Sequence, residues 1–164
     1  MSTHTANLVE QSFAVVSGPQ REENRRVLQP ILTDLIAFSL NVKQLHWNVI
    51  GPNFRPIHLH LDEIHDDVEE AVDSVAERLT ACGHSPSGTV KSVGADTELV
   101  DVPTGFIRDE EVLLLAGQRM HELIGLIRSR MASIEDVDTV TADLLHQIVE
   151  KLEKHHWMLR AQRA

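Results

Sequence analysis

From residue 26 to about residue 49, apolar side chains fall at Leu28, Ile31, Leu32, Leu35, Ile36, Phe38, Val42 and Leu45. Steps of three and four mark one buried stripe along a helix. Pro30 stands near the start of this stretch, where a first turn tolerates it. Gly51-Pro52-Asn53 breaks the pattern. A second stripe, Ile57, Leu61, Ile64, Val68, Ala71, Val72, Val75 and Leu79, predicts a helix over about 56–81 that stops at Cys82-Gly83. Residues 84–105 carry Pro86, Gly88, Gly94, Pro103 and Gly105 and read as a long connection, with room for a short helix around residues 90–93. Two further helices are expected, one over about 107–133 and one from a cap at Asp138 or Thr139 to about residue 161. No period-two alternation, internal repeat or low-complexity segment competes.

Four long helices joined by a short, a long and a short connection predict an all-α four-helix bundle. The long middle connection lets the second and third helices run the same way. The 164 residues suit one domain, 1–164, with residues 1–23 as an N-terminal arm. A chain of this size buries roughly two thirds of its unfolded surface and needs no staples. That agrees with a single cysteine, Cys82, and with a reducing cytosol. Neither a signal peptide nor a transmembrane segment is read from the sequence, so a cytoplasmic protein is expected.

The second helix changes the picture. Beside its apolar stripe runs another, His58, Asp62, His65, Glu69, Asp73 and Glu77, and Arg78 is the helix's single strong base past its first turn. A charged row is usually a solvated face. An acidic helix with histidines, however, repels itself unless cations sit on it. His58 and Asp62 are one turn apart and can reach one ion, and so can Asp73 and Glu77. The midpoints of the two pairs are fifteen residues apart, about 22 Å of helical rise. They cannot share an ion within one chain. A copy of the helix packed antiparallel about a two-fold axis near Asp67 and Val68 brings each pair opposite its complement, which makes two identical sites. Acids with imidazole suit Fe(II) or Mn(II), and zinc as well. His46, at the end of the first helix, lies a short turn from His58 and is expected to complete the half-site. His65 falls near the proposed axis, about 10 Å from His58, and ordinary polar packing is expected of it.

The sequences Leu45-His46-Trp47-Asn48, Gly51-Pro52-Asn53-Phe54, Ile57-His58-Leu59-His60-Leu61-Asp62-Glu63 and Ala71-Val72-Asp73 through Ala76-Glu77-Arg78-Leu79 resemble the Dps family of mini-ferritins. The family pattern is His-Trp, a histidine twelve residues on, then Asp, Asp and Glu at steps of four, eleven and four. His46-Trp47, His58, Asp62, Asp73 and Glu77 meet every step. The resemblance covers roughly residues 24–162. It implies a ferritin-like bundle assembled as a hollow homo-dodecamer, with ferroxidase centres at two-fold interfaces. His46, His58 and Asp62 would come from one subunit and Asp73 and Glu77 from its mate, with Trp47 beside the centre. Fe(II) would be oxidised there, typically by hydrogen peroxide or else by dioxygen, and stored as ferric oxide. Pores at three-fold axes would be lined by acids at the start of the last helix, for which Asp138 and Asp143 are the candidates, with Glu135 and Asp136 nearby.

The net charge of −10 bears on the partner. Duplex DNA is held through its phosphates by clustered Lys and Arg. The N-terminal arm has no lysine and carries a Glu22-Glu23 pair, so a firm hold on DNA is not expected. Two other readings stand beside iron storage. One is a DNA-compacting nucleoid protein with little ferroxidase activity. The other is a di-iron oxidase within one bundle, but that needs two Glu-x-x-His motifs and only Glu153 to His156 supplies one.

Overall fold

A computed structural model describes residues 14–163. In chain order its elements are α1 (Gly18–Asn48), β1 (Val49–Ile50), α2 (Phe54–Ala81), α3 (Val90–Asp96), β2 (Ile107–Arg108), α4 (Asp109–Met131) and α5 (Thr139–Ala161). The four long helices pack around one apolar core. Leu28, Ile31, Leu35, Phe38 and Leu45 of α1 meet Ile57, Leu61, Ile64, Val75 and Leu79 of α2, all essentially sealed from solvent. Met120, Leu123 and Ile127 of α4 and Leu145 and Leu152 of α5 close the other side. Each such side chain contributes about 1.5–3 kcal/mol by leaving water.

The strands are too short for a pattern reading to detect, yet they fix the topology. Val49 pairs with Ile107 and Ile50 with Arg108 in a parallel register. The end of α1 therefore lies beside the start of α4. Since α2 also starts there, α2 and α4 run the same way, as the connection lengths predict. Gly51 makes the turn possible. Its φ is +135°, and a Cβ there would meet the Asp109 carboxylate at 2.5–2.7 Å. That carboxylate accepts the Asn53 backbone N–H at 2.8 Å, pinning the α1–α2 turn to α4.

The long connection is held by side chains rather than by apolar mass. Buried Asp34 of α1 accepts from the Thr97 hydroxyl at 2.8 Å, the Glu98 N–H at 2.9 Å and the Arg130 guanidinium at 2.7 Å. Asn41 bonds Val100 O and Val102 N–H, both at 3.2 Å. At the other end of the bundle, α2 stops as expected. Gly83 takes a φ of +83°, and the His84 N–H reaches back to Leu79 O at 2.9 Å.

Two expectations are corrected. The first helix starts at Gly18, not near residue 26, so residues 18–23 of the expected arm are helical, while 1–13 lie outside the described residues. Pro19 is the proline of the first turn, and the Ser17 N–H bonds the Gln20 side chain at 3.4 Å. Pro30 is therefore interior to α1, where it removes one helical hydrogen bond. Asp138, a candidate pore acid, is buried and fully engaged. It caps α5 by accepting from Val140 and Thr141 N–H, and it also takes the Arg78 guanidinium at 2.6 Å and the Asn24 amide at 2.8 Å. The cap expected at Asp138 is thus present, and the same carboxylate ties α5 to α1 and α2. Asp143 is exposed, in an open groove beside Glu77 and Arg78.

Burial pushes the Asp138 carboxyl up, but the bonds from Asn24, Arg78 and the Thr141 N–H outweigh it and hold the group below its ordinary 3.8. As pH falls, the unfolded chain then takes up this proton before the folded one. The stabilisation is complete above about pH 4 and is lost below it. Asp138→Ala strands the largely buried Arg78 charge and should cost about 3 kcal/mol in urea unfolding at pH 7. The gap between variant and wild type should narrow at pH 3.

Candidate metal centre

The last turn of α1 and the first turns of α2 meet across Gly51 with two histidines face to face. The His46 and His58 rings stack with centroids 3.7 Å apart and planes 22° from parallel. Their hydrogen bonds are reciprocal. His46 Nδ1 donates to the His58 carbonyl and His58 Nδ1 to the His46 carbonyl, each at 3.0 Å. A carbonyl only accepts, so both Nδ1 atoms carry the proton and both Nε2 atoms keep a free lone pair. Holding one ring nitrogen by a backbone carbonyl in this way fixes a metal-ligating tautomer and ring orientation. His46 is buried, and desolvation is the main influence lowering its pKa, outweighing the pull of Asp62, so the ring is kept neutral.

Asp62 stands one turn beyond His58. Its Oδ1 lies 3.3 Å from His46 Nδ1. Ligating atoms of His46, His58 and Asp62 all lie within 4.8 Å of one another, the one such cluster among the described residues. Phe54 tilts over His58 at 4.9 Å between ring centroids and shields it from one side. Lys43, which the sequence reading did not single out, donates to Asp62 Oδ1 at 2.8 Å and is the chief influence holding that carboxyl below its ordinary range. Its position three residues before His46, on the same helix face, was the available signal. The cluster is thus a half-site: two oriented imidazoles and one carboxylate whose charge a lysine holds in trust.

Asp73 and Glu77 are not part of it. The helix α2 is continuous from Phe54 to Ala81, so they lie about 22 Å further along its axis. Both are exposed, and neither has a salt-bridge partner among the described residues. Trp47 points outward, 65% exposed, with Leu40 at 62% one heptad earlier on the same face of α1. It is not a core aromatic of this chain. His65 is turned to Ser39, whose hydroxyl accepts from His65 Nδ1 at 3.1 Å and donates to Glu69 at 2.5 Å.

A second histidine pair also escaped the sequence reading. Buried His60 and His155 form a directed chain. The Gln162 amide donates to His60 Nδ1 at 2.8 Å, His60 Nε2 meets His155 Nδ1 at 3.2 Å, and His155 Nε2 donates to Asp67 at 2.8 Å. The chain ties the end of α5 to α2 and satisfies every ring nitrogen, so it holds no ligand.

Known proteins were compared with this geometry. The model of the ferritin-like domain matches residues 26–164. The DNA protection during starvation protein of Mycolicibacterium smegmatis is 34% identical over 152 residues, covering 92% of this chain and 83% of that protein. The DNA protection during starvation protein 2 of Deinococcus radiodurans is 34% identical over 143 residues, 83% of this chain, but the chain spans only 56% of that relative's length. A crystal structure of Mycobacterium smegmatis Dps in a tetragonal form superposes with a TM-score of 0.86 at 30% identity, covering 90% of each chain.

Lys43→Met should free Asp62. Divalent metal titrated into the iron-free protein by calorimetry is expected to bind roughly two- to fivefold more tightly, the effect of removing one partly exposed ion pair. Weaker binding by the variant would make Lys43 a support of the site instead of a competitor.

Proposed function

We propose a function that proceeds from kinship: the chain belongs to the ferritin-like family and, within it, to the Dps proteins. The reading is iron detoxification and storage. Fe(II) is oxidised, preferably by hydrogen peroxide, at a centre shared between two copies of the chain, and the ferric product is held inside a hollow dodecamer. The observation that carries this reading is the split of ligands along one helix. An oriented His46–His58–Asp62 half-site stands at one end, and an unpaired Asp73–Glu77 carboxylate pair lies about 22 Å away. A two-fold axis across α2 brings one half to the other, twice. The exposed Trp47 and Leu40 are large apolar side chains on the outer face of the neighbouring helix, where such an interface would cover them.

The residues then divide the work. The Nε2 lone pairs of His46 and His58 and the Asp62 carboxylate bind Fe(II) from one side, while Lys43 must yield Asp62 first. Asp73 and Glu77 of the second copy supply hard anionic oxygens, which favour the higher charge of the product. Two Fe(II) ions give up one electron each, and one hydrogen peroxide accepts both as its O–O bond breaks. With two waters the products are two FeO(OH) and four protons. No hydroxyl radical is formed, because both electrons reach the same peroxide. Protection of DNA follows from removing the reactants and requires no tight grip on the duplex, which a chain of net charge −10 is poorly suited to give. Among the described residues no helix is long and apolar enough to cross a membrane.

The test is substitution of the remote pair. Asp73→Asn and Glu77→Gln keep side-chain size and remove a hard ligand each. Both proteins should fold as wild type by circular dichroism yet oxidise Fe(II) with peroxide at least about tenfold more slowly, followed by ferric absorbance. Wild-type rates in both would exclude the pair from the centre and end this reading.

A further inference from the structure

On the other side of the bundle, α4 and α5 leave a trough between them, open to solvent, with a volume of about 530 Å³. Leu113, Gly117 and His121 line it at successive turns of α4. His156 and Arg160 line it at successive turns of α5, and Arg163 in the turn just past the helix end. No residue of the metal centre takes part. On this acidic chain the acids next to the trough are already paired. Glu122, at the edge, is held by Arg119 through both carboxylate oxygens at 2.7 and 2.9 Å. Glu153, one turn before Trp157, is taken by Arg128 at 2.9 and 2.5 Å. Arg160 and Arg163 have no acidic partner among the described residues, and the His121 ring of α4 and the His156 ring of α5 stand 5.6 Å apart across the trough. The end of a helix favours a cation in its last turn, which accounts for Arg160. It does not account for a second arginine or for two facing histidines.

The geometry points to a binding site for a phosphate group, carried on a small molecule whose apolar part rests on Leu113, Leu114 and Gly117. Two guanidiniums free of acids match phosphate oxygens through paired N–H donors. Histidines add donors that strengthen on protonation. His156 would offer its neutral N–H. Desolvation first, then His121 and Arg160, lower its pKa against the opposing pull of Glu153, so the ring is held neutral beside the two arginines. The trough is several times larger than a bare phosphate and lies within the range of pockets that hold small organic ligands.

The experiment is calorimetric titration of the iron-free, fully assembled protein at pH 7 with inorganic phosphate, phenyl phosphate and phenol. Phenyl phosphate should bind, and the double variant Arg160→Gln/Arg163→Gln should bind it at least tenfold more weakly while keeping the wild-type rate of iron oxidation and the wild-type circular dichroism. If inorganic phosphate binds as tightly as phenyl phosphate, the ligand is the free ion and the site still stands. If phenol binds as tightly as phenyl phosphate, or the double variant binds phenyl phosphate as well as wild type, or no phosphate binds below about 10 mM (a free energy weaker than roughly −3 kcal/mol), the proposal is overturned.

Discussion

Two reciprocal hydrogen bonds between His46 and His58 hold the rest together. They close the hairpin between α1 and α2 side chain to backbone in both directions. The same bonds place both ring protons on Nδ1 and so leave both Nε2 lone pairs free. Structure and chemistry are thus one constraint. The turn cannot open without releasing the tautomers, and the rings cannot rotate without giving up both bonds. Gly51 and Asp109 support it from behind, since the sharp turn brings the helix ends close only where no Cβ stands in the way of the Asp109 carboxylate.

A half-site of this kind is stable because its charges are provisionally satisfied. Lys43 neutralises Asp62, and burial keeps His46 uncharged. Asp73 and Glu77 have no such partner and stay exposed instead. That contrast runs through the molecule. Buried carboxylates at the helix seams, Asp34 and Asp138, are locked by arginine and several further donors. Asp73 and Glu77 on α2 and Asp143 on α5 are exposed instead and have no such partner among the described residues. The asymmetry separates acids that build the bundle from acids free to meet a cation.

Much of this was legible in the chain. The apolar stripes locate the long helices because burial enforces the 3.6-residue period. The spacing brings His46, His58 and Asp62 together and sets Asp73 and Glu77 about 22 Å along α2, since helical rise is fixed, and the proposed two-chain centre rests on that split. What was not legible depends on contacts between distant segments. The start of α1 at Gly18 follows from Pro19 in the first turn and from Gln20 reaching Val137 O at 2.9 Å, 117 residues away. The β1–β2 pair is two residues long and has no periodicity to read. The cap at Asp138 was legible, but its bonds to Arg78 and Asn24, far off in sequence, were not. Trp47 follows His46 like a core aromatic, but the next position on a helix lies 100° round, and that faces it outward.

The central claim is that each metal centre takes ligands from two chains, and mixing two inactive variants tests it most directly. His58→Ala spoils the half-site on α2 near the turn, and Asp73→Asn/Glu77→Gln spoils the remote pair. When the two are co-expressed, a dimer of unlike chains keeps one of its two shared centres intact. Random pairing makes half the dimers mixed, so peroxide-driven Fe(II) oxidation should return to about a quarter of the wild-type rate, well above either variant alone. A mixture no more active than its parents would contradict the account, because a centre contained in one chain cannot be restored by a neighbour.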